Sequence, residues 1–214
     1  MNKTTNNRVK LLKEEFSKYT SQQTIGEDGF VKIGKDLGID IYSDIFILYF
    51  CYKCECKLFG AINLEEFSRG VQSFGVSQLV DVKKHILKSK EDLLNLSSSE
   101  FKKFYYFLFE YLYDKKSQKK QLSFDEVELY FKQLFSNQFK IVDTFLGFLT
   151  KVKGKEGLKQ DQWNCFLDFL LKIGDNFPKG YSTKDSWPTI LDEFYLDYCE
   201  RNNIEINQEE EADS

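Results

Sequence analysis

The sequence predicts an all-helical protein, and three observations carry that expectation. Two prolines and twelve glycines in 214 residues leave little material for the turns of a many-stranded sheet. Apolar residues recur at helical spacing, and capping residues precede many of these stretches. Twenty-one phenylalanines against one methionine, in a chain 42% hydrophobic and 30% charged, describe a soluble globular chain with an aromatic core. The length suffices for one large domain or two tightly packed halves.

About ten helices follow in order. Val9, Leu12, Phe16 and Tyr19 share one helical face, so a first helix is expected after Thr5. Ser43 is the expected cap of an apolar stretch reaching about Cys56. Asn63 and Glu66 have the spacing of a reciprocal cap, in which the third residue reaches back to the cap amide. Leu64, Phe67 and Val71 give that helix its buried stripe. Ser77 is expected to open a helix running past His85, and Ser97–Glu100 and Ser123–Glu126 repeat the capping pattern before two aromatic helices. Further helices are expected over Phe139–Val152, around Trp163, and from Asp185 or Ser186 with Pro188 in the first turn, where a missing N–H costs nothing. Gly174–Lys184 is the longest irregular piece.

Charge is unevenly spread. Asp161 to Ser214 holds 13 acidic and 4 basic residues, a net of −9, which leaves +5 for residues 1–160 of a chain whose total is −4. The acidic end offers a face to a basic partner, and the bland alternative is a solvated face with a loose Glu209–Glu211 tail. Five cysteines are an odd number, and the N-terminal residues hold no apolar run and no glycine after Met1. A reducing compartment, cytosol or nucleus, is expected, with no membrane span or lipid anchor.

The N-terminal half carries the spacing of a calcium hairpin without its chemistry. Glu55–Glu66 has Gly60, Ile62 and Glu66 at positions six, eight and twelve, and Thr24–Lys35 has Gly29 and Val31 at six and eight. Lys57 and Phe59 stand where oxygen ligands belong, and the first loop ends in Lys35. These read as degenerate EF-hand-like helix-loop-helix hairpins, joined by a short pairing of Val31 with Ile62 and holding no metal.

Other constellations are equally spare. Cys51, Cys54 and Cys56 fall within one expected helix and lack the second close pair that zinc favours, so they read as core thiols. His85, the single histidine, sits among lysines, and no phosphate-binding glycine loop is present. Lys115, Lys116, Lys119 and Lys120, and Lys151, Lys153, Lys155 and Lys159, read as solvated loops rather than a nucleic-acid surface. No cofactor and no active site of its own are expected.

Two blocks in the last third carry the sharpest signal: Gln160-Asp161-Gln162-Trp163-Asn164 with Leu167-Asp168-Phe169, then Ser186-Trp187-Pro188-Thr189-Ile190-Leu191-Asp192-Glu193-Phe194. They resemble the signature of the defective-in-cullin-neddylation family, defined by its potentiating-neddylation domain. Looser likeness extends upstream through Ile25–Gly29, Asp36–Ile39, Glu66–Gly70 and Phe101–Phe107, covering about residues 8 to 200. The resemblance implies a flexible N-terminus (1–7), a potentiating-neddylation domain (8–201) of hairpins packed on a C-terminal helical half, and a disordered acidic tail (202–214).

In function it implies a scaffold that acts as a co-ligase. Such a protein binds the winged-helix region in the C-terminal domain of a cullin, and also the conjugating enzyme of the cullin modifier. The RING-box subunit is a further implied partner, and a monomer is expected. The family's Asp-Ala-Asp cullin patch maps to Asp161, Ser186 and Asp192, with serine in place of alanine. Its apolar pocket for the acetylated N-terminal methionine of the conjugating enzyme maps to Tyr111 and Tyr130. The rival readings are an EF-hand-derived calcium sensor and a generic helical adaptor.

Overall fold

A computed structural model describes residues 3–113 and 120–205, and the chain divides into two compact units, residues 1–112 and 113–214. Lys115, Lys116 and Lys119, and residues 1–2 and 206–214 of the expected terminal segments 1–7 and 202–214, lie outside the described residues. Both units are helical, with two short two-stranded pairings, as the composition predicts. No helix among the described residues is long and apolar enough to cross a membrane.

The first unit runs α1 (Lys3–Phe16), β1 (Thr24–Ile25), α2 (Glu27–Leu37), α3 (Phe46–Cys54), β2 (Ile62–Asn63), α4 (Leu64–Ser73), α5 (Leu79–Val82), α6 (Ile86–Leu93) and α7 (Ser99–Leu112). Helix α1 starts at Lys3, earlier than the expected start after Thr5. Its Phe16 meets Phe67 of α4 at 5.6 Å between ring centroids, edge to face, which closes the core around Phe50, Phe67 and Phe104.

Local capping explains several boundaries. The Asn63–Glu66 box is present in both directions: Glu66 N–H donates to Asn63 Oδ1 and Asn63 N–H to Glu66 Oε2, each at 2.9 Å. Two other caps sit one residue later than expected. Asp44 Oδ1, not Ser43, accepts from Phe46 N–H at the head of α3, and Ser98, not Ser97, accepts from Phe101 N–H at the head of α7. The helix expected from Ser77 is interrupted by a 3₁₀ turn at Lys83–His85, which separates α5 from α6.

The two loops of this unit do pair, but in a different frame. Ile25, not Val31, stands opposite Ile62 in the antiparallel β1–β2 pair, and Val31 is exposed on α2. Gly29 is therefore not a turn glycine. A Cβ there would lie 2.4 Å from Ile25 Cγ2 and 2.6 Å from the Tyr19 carbonyl oxygen, so the glycine permits a close crossing. Gly60, at φ +71°, is the true left-handed turn residue.

Glu66, in this frame, has both carboxylate oxygens engaged by backbone, since Lys57 N–H also donates to its Oε1 at 3.2 Å. Glu66→Ala removes the acceptor for two backbone donors at a buried position. It is expected to cost about 2 kcal/mol, read as a lower urea midpoint at unchanged slope. An unchanged midpoint would show that water replaces the carboxylate there at no cost.

The second unit runs β3 (Gln121–Leu122), α8 (Phe124–Phe135), α9 (Ile141–Lys151), β4 (Leu158–Lys159), α10 (Gln160–Lys172), a 3₁₀ turn (Gly174–Asn176) and α11 (Thr189–Arg201). Leu122 stands opposite Leu158, so this unit has the same plan of two helix-entry loops joined by a two-residue pairing, which was expected only in the N-terminal half. The Ser123–Glu126 box forms as expected. Lys159 N–H donates to Gln162 Oε1 at 2.8 Å, a third such return contact.

Helix α11 opens later than expected. Pro188, at ψ 141°, is the cap residue outside the helix rather than part of its first turn. Beyond its end, the chain turns back so that Ile204 N–H donates to the Cys199 carbonyl oxygen at 2.9 Å.

Candidate functional site

Three of the expected site residues, Asp161, Ser186 and Asp192, lie in the second unit. Asp161 occupies the first turn of α10, where the helix dipole favours a carboxylate, and it is exposed. Ser186 is exposed on the irregular segment two residues before the α11 cap. Asp192 is half-buried in the first turn of α11.

A chain of side-chain contacts joins Asp192 to Trp187, the residue after Ser186. The Tyr181 hydroxyl donates to Asp192 Oδ1 at 2.7 Å. The same ring stacks on Tyr195 (4.8 Å, 21°) and on Trp187 (6.2 Å, 19°), the neighbour of Ser186. Lys172, the last residue of α10, pairs with Asp185 at 2.7 Å and places its ammonium 5.4 Å from the Trp187 ring centroid. Trp187 also meets Phe169 of α10 edge to face at 6.2 Å. Burial, with the Asp192 carboxylate next, pushes the Tyr181 phenol well above its ordinary range, so it remains a donor at any neutral pH.

Asp161 makes no hydrogen bond or ion pair among the described residues, and no such contact joins it to this cluster.

The two tryptophans also part company. Trp163, two residues after Asp161, is fully buried and packs on Phe131 at 5.0 Å, in a cluster where Phe131 also stacks on Phe166 at 4.4 Å. It is core. Trp187 is half-buried, with its Nε1 lacking an acceptor among the described residues, and it is the aromatic residue that belongs to the surface cluster.

Tyr181, Lys172 and Asp185 were not singled out from the sequence. Their contacts span 11 to 15 residues across an irregular segment, where no periodicity links them.

The pair Tyr111 and Tyr130 is divided. Tyr111 belongs to the first unit and lines a cavity of about 410 Å³ whose wall includes Phe30, Ile41, Ile47, Leu48 and Phe59. Its hydroxyl accepts from Gly60 N–H at 3.3 Å and donates to Cys51 Sγ at 3.4 Å, so the phenol braces the Gly60 turn. Phe59 (65% exposed) and Tyr42 (71% exposed) form an apolar rim that nothing covers among the described residues. Tyr130 is half-buried on α8 in the second unit and is not a lining residue of this cavity. The cavity suits an apolar side chain.

The three clustered thiols are buried. The hydrogen bond with Cys56, together with burial, pushes the Cys51 thiol well above its ordinary value. Cys56 lies beyond the end of α3, past the left-handed cap Glu55, rather than inside the helix with Cys51 and Cys54. No group of three or more His, Cys, Asp or Glu among the described residues is placed to hold a metal ion. Of the second lysine cluster, Lys153 pairs with Glu193 at 3.0 Å and Lys155 lies over the Phe124 ring.

The described residues thus present an acidic-aromatic face on one helical unit and an apolar cavity on the other. Residues 81–197, more than half of the chain, match the family described as cullin binding. The chain belongs to that family, the defective-in-cullin-neddylation family. It is 28% identical over 200 residues to DCN1-like protein 3 of Xenopus laevis and 26% identical over 200 residues to DCN1-like protein 3 of Homo sapiens, covering 91% of this chain and 64% of each relative. A Drosophila melanogaster DCN1-like protein 4 is 26% identical over 184 residues, 84% of this chain and 71% of that protein. The chain thus spans less than two thirds of the length of the DCN1-like protein 3 relatives.

Proposed function

We propose that this protein is a non-catalytic co-ligase scaffold for cullin neddylation. The observation that carries the reading is that the cullin-binding match, residues 81–197, contains Asp161, Ser186 and Asp192, on the part of the chain with a net charge of −9. Asp161 and Asp192 meet basic side chains of the winged-helix region in a cullin's C-terminal domain, with Trp187 as the aromatic neighbour. Ser186 replaces an alanine of the family pattern with a residue nearly as small, so a partner's close approach survives.

The cavity beside Tyr111 receives the acetylated N-terminal methionine of the conjugating enzyme, an apolar group without a charged amine. Tyr130, in the second unit, is not among the residues that line it. Holding both partners loses their orientational entropy before reaction, which lowers the barrier to transfer by on the order of several kcal/mol. The RING-box subunit joins the same assembly, and the protein works as a monomer in the cytoplasm or nucleus.

A pull-down with a cullin C-terminal domain tests this reading. Wild type is expected to capture the cullin at low salt, with capture falling as ionic strength rises. Asp161→Ala combined with Asp192→Asn is expected to lower affinity at least about tenfold. Wild type that captures no cullin at low salt sinks the whole reading, whereas equal capture by both proteins sinks only the patch.

A further inference from the structure

We infer that Tyr181 is a positioning residue for the docking face: it fixes the Asp192 carboxylate through one oxygen and leaves the other to the partner. The inference rests on the proposed role of Asp192. Its geometry is independent of any relative.

Asp192 offers two oxygens, of which Oδ1 receives the Tyr181 hydroxyl at 2.7 Å. No described residue bonds the other, Oδ2. A carboxylate on a free rotamer would search many orientations and lose that freedom on binding, so a hydrogen bond already made in the unbound protein removes part of that cost.

The donor itself is closely packed. Tyr181 is 8% exposed, and its ring is held by four others: stacked on Tyr195 and Trp187, and edge to face with Phe177 at 5.8 Å and Phe169 at 6.3 Å. The phenol cannot follow Asp192 if the carboxylate turns away, so the carboxylate is the member that is set. Nearby, Lys172 neutralises Asp185 at 2.7 Å, so a basic partner approaching this face meets Asp192 as the uncompensated acid of the cluster.

The ordinary alternative is that Tyr181 is core and its hydroxyl merely needs an acceptor. Tyr181→Phe keeps the ring and removes only the donor, and a double-mutant cycle separates the two. The dissociation constant for a cullin C-terminal domain is measured for wild type, Tyr181→Phe, Asp192→Ala and the double variant, with the thermal midpoint of each.

Tyr181→Phe is expected to weaken binding roughly fivefold. In the Asp192→Ala background the same change is expected to leave affinity as it is, because no carboxylate remains to be set. Equal weakening in both backgrounds overturns the inference in favour of a structural role. So does wild-type affinity in Tyr181→Phe while Asp192→Ala is weak, a result that leaves the docking role of Asp192 standing. Wild-type affinity in Asp192→Ala removes the docking role and the inference together.

Discussion

Trp163→Ala is expected to lower the unfolding free energy by about 3–5 kcal/mol, the usual cost of deleting a large aromatic side chain from a packed core. Trp163 is fully buried and packs on Phe131 at 5.0 Å, Phe131 stacks on Phe166 at 4.4 Å, and Phe166 meets Phe145 at 4.6 Å, all of them buried. Such a cluster is too tightly interlocked to collapse into the space left behind. Denaturant unfolding measures the loss. A second variant at this position decides between two roles for a tryptophan beside a candidate docking aspartate. Trp163→Phe, which keeps most of the buried ring, should retain cullin capture. A folded Trp163→Phe protein with wild-type stability and no capture would return Trp163 to the surface face.

Gly157→Ala is expected to be comparably costly, at about 3 kcal/mol or more. A Cβ at residue 157 would lie 1.8 Å from the Leu122 carbonyl oxygen and 2.9 Å from its carbonyl carbon, and neither backbone atom can rotate away. Relief requires β3 and β4 to separate, which exposes Leu122 and Leu158 and disturbs the entries to both α8 and α10. Gly147 in α9 is the control: a Cβ there meets nothing within 4 Å. Gly147→Ala is expected to raise stability by about 0.5–1 kcal/mol, since alanine restricts the unfolded chain and favours helix. Thermal midpoints moving in opposite directions for the two substitutions would support this account, whereas a midpoint for Gly157→Ala within a degree of wild type would refute the close contact.

What the sequence revealed was what is local. The Asn63–Glu66 and Ser123–Glu126 boxes were legible because all their partners lie within three residues. Ser43 and Ser97 were preferred to Asp44 and Ser98 because adjacent capping residues compete for one helix end, and composition does not rank them. Gly29 was misread because a close crossing with Ile25 and Tyr19 is a tertiary fact that a glycine in sequence does not disclose.

The paired loops of the second unit were missed for the opposite reason. Lys120 takes φ +49° two residues before Leu122, as Gly60 takes φ +71° two residues before Ile62, and a lysine gives no sign of it. At the candidate site, Asp161, Ser186 and Asp192 were legible from motif spacing. The burial of Trp163 and the Tyr181–Asp192 contact depend on how α10, α11 and the segment between them pack, which spacing does not encode.

Glu66 bears on how the protein is controlled. In a calcium-responsive hairpin the carboxylate closing the loop is free until the ion arrives, and its capture moves one helix against the other. Here the same side chain is already satisfied by the amides of Lys57 and Asn63. The loop-closing carboxylate instead ties the backbone of its own hairpin together, so neither of its oxygens is a spare ligand in this arrangement.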